Sequence, residues 1–147
     1  MTSPDLPARS GPPYLIVHPD RPLCRAIGLI ELLDHDPQSR SVRVNYQVRP
    51  EFCHSNGTTA QGGFVTAWLD HSMACAVVHD SGGELNVASL EIKVSFLEAV
   101  RPGTVTTEAR VLRRGKRVAF LEGRLLDAAG KLLATASSSG LLVPYTP

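Results

Sequence analysis

Three cysteines, Cys24, Cys53 and Cys75, are all that the 147 residues contain. The number is odd and no Cys-x-x-Cys spacing occurs, which argues against a disulfide framework and against a zinc site. No apolar run approaches the about 20 residues that cross a bilayer, and no basic stretch followed by an apolar one stands near the start. Neither a membrane span nor a secretory leader is therefore expected, and a cytoplasmic location is the default. Neither sign of charge is in excess: Lys and Arg number 15, Asp and Glu 14, for a net +1. No global field draws such a chain to nucleic acid or to a membrane surface. Internal repeats and a second domain boundary are also missing. Ser137-Ser138-Ser139 lacks a Gly-x-Ser-x-Gly setting and reads as structural. The sequence is 43% hydrophobic and 20% charged, ordinary for a globular protein, and its length suits one domain with a sizeable core.

What is present centres on residues 61–78. From Phe64 to Val78 apolar side chains occupy nearly every face of the expected helix, and a helix that is apolar all round is a buried one. Gly62 and Gly63 open it, where backbone N–H groups point outward without helical partners and the dipole is positive. Asp70 stands in its middle. A carboxylate there must be paired, reach a wet cavity or titrate abnormally. Cys75, on the same helix, reads as a small core residue.

Around this helix the chain reads mostly as strands. Residues 1–13, with four prolines, read as a loosely attached arm, and the body is residues 14–147. Leu23 to Leu33 and Ser41 to Val48 flank a turn at residues 34–39 and suggest a hairpin, its first half partly helical. After the helix, residues 86–96, 104–112, 118–126 and 131–143 alternate at the spacing of an antiparallel meander. In the first of these, Leu90, Ile92, Val94 and Phe96 fall on one face, and Ser89, Glu91, Lys93 and Ser95 on the other. A long sheet with one face to cover and one greasy helix give an α+β domain: a curved antiparallel sheet wrapped around a central helix.

At this point the sequence resembles the hotdog-fold acyl-CoA thioesterases related to the phenylacetate-pathway and hydroxybenzoyl-CoA enzymes. Gln61-Gly62-Gly63, followed by Asp70, looks like their His/Gln-Gly-Gly…Asp signature. Val87 to Phe96, Arg101-Pro102-Gly103 and Arg114-Gly115-Lys116 follow in register. The resemblance implies hydrolysis of an acyl-CoA to a carboxylic acid and coenzyme A, with no cofactor beyond the coenzyme A of the substrate. By resemblance Gly62 polarises the thioester carbonyl, Asp70 is nucleophile or general base, and Ser89 orients the water or the carboxylate. Gln61 and Gly63 border the substrate, and Arg114 and Lys116 meet its phosphates. Relatives commonly place Asn or Gln six residues before the signature. Here that register falls on Ser55, with Asn56 one place later and His54 one before. Either Asn56 serves through a shifted loop or the water is held differently. His54 is a candidate lining residue, while His71, about 100° around the helix from Asp70, reads as packing.

Gly62 and Asp70 lie eight residues apart, about 12 Å along a helix, too far to meet one carbonyl carbon. Two antiparallel copies of the helix about a dyad would bring Gly62 of one beside Asp70 of the other. A homodimer with composite sites is expected, paired further into a dimer of dimers; nucleic acid and membrane are not expected partners. Three alternatives remain at this level. They are a non-catalytic acyl-CoA-binding module, a hotdog hydratase or dehydratase, and hydrolysis of thioesters on a carrier protein. The acyl group is not legible.

Overall fold

The computed structural model describes residues 17–146. The arm expected over residues 1–13 lies outside the described residues. A short helix, α1 (Pro22–Ala26), leads into strand β1 (Leu29–Asp36), which turns back as β2 (Ser41–Val48). A two-residue hairpin follows, β3 (Cys53–His54) and β4 (Thr59–Ala60), and then the long helix α2 (Gly62–Asp80). Four long strands complete the chain: β5 (Leu85–Phe96), β6 (Gly103–Arg114), β7 (Val118–Asp127) and β8 (Leu132–Pro144). The six long strands form one antiparallel sheet in the order β1-β2-β6-β7-β8-β5. Its inner face curves around α2, which is the hotdog fold.

The alternation of β2 explains this cover. Val42, Val44, Tyr46 and Val48 are fully buried, and the residues between them face outward. Trp68, Leu69, Met73, Val77 and Val78 of α2 are buried just as completely, each worth about 1.5–3 kcal/mol of apolar transfer for the larger side chains. Trp68 tolerates the dry interior because its indole N–H donates to the Ile27 carbonyl at 2.7 Å. His71 is buried too. Its Nδ1 lies 2.7 Å from the Tyr46 hydroxyl, and the thiols of Cys24 and Cys75 lie 3.8 and 3.9 Å from its ring nitrogens. The expected packing role is what this geometry supports, and burial pushes the Cys24 thiol up from its ordinary range.

Two features differ from the pattern read in the sequence. First, α2 is not enclosed on all sides. Gly63, Thr66, Ala67, Asp70 and Ala74 are less buried than their neighbours and run as one line along the helix, so its small and polar side chains share an open face. Second, β5 is bulged. Ser89 pairs with Gly140 and Glu91 with Ser139, leaving Leu90 as an extra, unpaired residue. One extra residue inverts the alternation. Val87 and Ser89 therefore face inward along with Ile92 and Val94, and Leu90 turns out with 62% of its surface exposed. The bulge is held from β8. Ser138 donates to the Glu91 carbonyl at 2.6 Å, the structural role expected of that serine run. Gly140 leaves room for the strand, since a Cβ there would stand 2.1 Å from Val87 Cγ2.

Candidate active site

The start of α2 is built by its neighbours. Ala60 N–H donates to the Val100 carbonyl at 2.7 Å and Gln61 N–H to the Phe52 carbonyl at 2.9 Å, which fixes the approach of the chain. Gln61 is the N-cap, its side-chain oxygen accepting from Gly63 N–H at 2.5 Å. Phe64 N–H and Val65 N–H both turn to the Gln61 carbonyl. Of the first helical donors, Gly62 N–H is the one with no acceptor among the described residues, and it opens on a groove of about 460 Å³ lined in part by His54, Gly62, Val65, Phe96 and Leu97. Phe96 seals one side closely: a Cβ on Gly62 would touch its ring at 3.2 Å. Gly63 is constrained differently, since a Cβ there would fall 2.6 Å from the capping oxygen of Gln61.

Two turns further on, Asp70 lies on the open face of α2. The bulge in β5 brings Ser89 to it, and the Ser89 hydroxyl donates to Asp70 Oδ1 at 2.6 Å. The other carboxylate oxygen, Oδ2, makes no bond among the described residues. Asp70 is thus paired and open to solvent at once. A carboxylate held on one oxygen and free on the other can take a proton from water or attack an electrophile.

Asp70 and the groove at Gly62 stay separate within one chain. Ser55 and Asn56 stand at the tip of the β3–β4 hairpin, both in the left-handed region, with φ of 54° and 58°. Ser55 Oγ lies 2.9 Å from His54 Nδ1, and Asn56 is exposed. Of the basic turn, Arg114 is drawn inward. Its Nε donates to Asp80 Oδ2 at 2.9 Å, and Arg40 donates to both oxygens of the same carboxylate at 2.7 and 2.6 Å. Lys116 is exposed. Phe96 is a lining residue that the sequence reading did not assign to the site, although the alternation of β5 beyond its bulge already sets it on one face with Ile92 and Val94. Trp68 and Met73 of α2 belong to the core and do not line this groove.

A fold and a site of this kind define a class. The profile of the thioesterase superfamily matches residues 57–134, and the chain belongs to that superfamily. A protein of Saccharolobus solfataricus that carries an esterase name is 33% identical over 98 residues, covering 65% of this chain and 67% of that protein. Among solved structures, a thioesterase-type, phenylacetic acid degradation-related protein from Ralstonia eutropha is 25% identical with a TM-score of 0.77, over 89% of this chain and 99% of that one. A protein from Streptococcus pneumoniae that carries a hypothetical-thioesterase name, solved with coenzyme A, shares the fold at 14% identity and a TM-score of 0.69, over 80% of this chain and 88% of its own.

Proposed function

We propose that the protein hydrolyses an acyl-CoA thioester to a carboxylic acid and coenzyme A, at sites shared between two copies of the chain. The observation that carries this reading is the pair of half-sites on α2. One is a Gly62 N–H, unpartnered among the described residues, beside a groove of mixed polar and apolar lining, and the other is an open carboxylate, Asp70, held on one oxygen by Ser89. A helix N-terminus is preorganised for the negative charge that develops on a thioester oxygen. Asp70 acts as the base: its free oxygen takes a proton from water, the water oxygen adds to the carbonyl carbon, and the carbonyl pair moves onto oxygen at Gly62 N–H. Collapse then breaks the C–S bond, and the thiolate takes up the proton. Ser55 or Asn56 would hold the water.

The two halves stand about 12 Å apart along one helix, so the reading needs a second copy. The edge strand β5 supports one. It is 12 residues long and is paired on one side only among the described residues, and long open edges are covered in stable proteins. A ligand of coenzyme A type is supported by the Streptococcus pneumoniae relative. Of the basic turn, Lys116 is the freer candidate for its phosphates, Arg114 being bonded to Asp80.

Thiol release from short, medium, long and aromatic acyl-CoAs tests the activity and finds the acyl group. Asp70→Asn is expected to keep the fold and lower turnover by at least about 10²-fold. Turnover at the wild-type rate in that variant would sink the assignment, and binding without any thiol release would leave a non-catalytic module.

A further inference from the structure

A second cavity adjoins the groove at Gly62, and the proposed chemistry leaves it unused. Its volume is about 530 Å³, against about 460 Å³ for the groove, and each is of the size that takes part of a small ligand. Glu98 and Ala99 line both spaces, so the segment between β5 and β6 is the divider. Its backbone is pinned from each side. The N–H groups of Leu97 and Glu98 donate to the Leu133 carbonyl at 3.0 and 3.1 Å, and the Val100 carbonyl accepts from Ala60 N–H at 2.7 Å. Leu133 belongs to the second cavity and Ala60 to the groove. A way through is therefore opened by side chains and not by the backbone.

The side chain that can give way is that of Glu98. Lys131 Nζ, from the turn between β7 and β8, lies 3.4 Å from Glu98 Oε1, and the two side chains are 58% and 49% exposed. An ion pair so open to water is weak, so a ligand displaces it at little cost, where a packed wall would stop it.

The lining beyond decides which end of a thioester passes. Val105 and Leu133, the most buried of its residues, are 2% and 3% exposed and apolar. The charges around them cancel, Glu98 and Asp127 against Arg101 and Lys131. Asp127 Oδ1 is already taken by the N–H groups of Ala129 and Lys131, both at 2.9 Å. Arg101 alone of the two cations has no ion pair among the described residues. A neutral cavity with one free cation is poorly matched to the phosphate groups of coenzyme A. An apolar chain needs no charge and leaves water against Val105 and Leu133.

We propose that an unbranched acyl chain, its carbonyl at Gly62, runs past Glu98 into this second cavity, and that the Glu98–Lys131 pair sets how readily longer chains are accepted. This rests on the thioesterase reading above and names its substrate class: medium- and long-chain acyl-CoAs rather than compact aromatic ones. A short chain ends within the groove. A longer one parts the ion pair and buries its further methylenes, each worth up to about fourfold in kcat/KM.

The test measures thiol release from straight-chain acyl-CoAs of increasing length and from an aromatic acyl-CoA. The readout is the ratio of kcat/KM for the longest chain that the wild type turns over to that for the shortest. Ala128→Trp, at an exposed turn position, puts an indole into the cavity and is expected to lower this ratio at least about tenfold. Glu98→Gln, which frees Lys131 and keeps the shape, is expected to raise it roughly two- to fivefold. A ratio that either variant leaves unmoved overturns the proposal. If Ala128→Trp instead weakens every length alike and spares acyl-pantetheine substrates, the cavity holds the coenzyme A end and the proposal falls. Absence of thiol release from every acyl-CoA removes the thioesterase reading itself, whereas hydrolysis that is fastest with the aromatic substrate removes only this addition.

Discussion

Two neighbouring residues at the end of α2 respond to acid in the same direction. His79 is largely withdrawn from water, its ring centroid 5.0 Å from that of His35. Burial, and then the second imidazole, push it down from its ordinary 6.5 to about 4. The unfolded chain takes up this proton near 6.5 and the folded chain only near 4, so stability falls as pH drops through that interval. Asp80 adds to the loss at lower pH. The bonds from Arg40 and Arg114 hold its carboxyl below the ordinary 3.8, so the unfolded chain is again the first to be protonated. Melting temperature is expected to decline from pH 7 to pH 4 and more steeply below. His79→Gln should flatten the upper part alone, and a wild-type curve level from pH 7 to pH 4 would contradict the assignment for His79. At this scale the sequence was partly legible. Asp70 and Gly62 stand out as a carboxylate and a helix-opening glycine wherever they occur. The partners of Asp80 lie 40 and 34 residues away, and nothing local announces them, which is why Arg114 read as a free cation.

The strands and α2 were legible because each carries its own period, two for the sheet and near-uniform apolarity for the helix. The bulge in β5 was not, because an extra residue in a strand changes no composition and leaves the alternation intact on paper. It nevertheless decides which side Ser89 faces. Its dependence on Gly140 is specific: a methyl group at that position meets Val87 Cγ2 at 2.1 Å and the Ala88 carbonyl oxygen at 3.2 Å, so the strand has to shift. Gly140→Ala is expected to destabilise the fold by about 1–3 kcal/mol and to weaken the bond from Ser89 to Asp70. Thermal melting reads the first effect and kcat the second. A variant with wild-type stability and turnover would mean that the bulge does not need the space.

For the whole molecule, the sequence reading carried the argument as far as one chain allows. Helix geometry alone requires two copies if Gly62 and Asp70 are to act on one carbon. The direct check mixes chains that each carry one lesion, Gly62→Val in one and Asp70→Asn in the other. Random re-pairing makes half of the dimers mixed, each with one intact site, so about a quarter of wild-type activity should return from two inactive parents. A mixture that stays inactive after proven exchange of chains contradicts the shared site. Leu90 gives that arrangement a further meaning. The one extra residue that turns Ser89 toward Asp70 also presents a large apolar side chain on the strand that would meet the second copy. Shortening β5 by that residue would remove the adhesive group and misdirect the serine together. If the second copy meets β5, loss of the bulge is expected to cost turnover and association together, which activity and sedimentation measured on one Leu90 deletion variant would read.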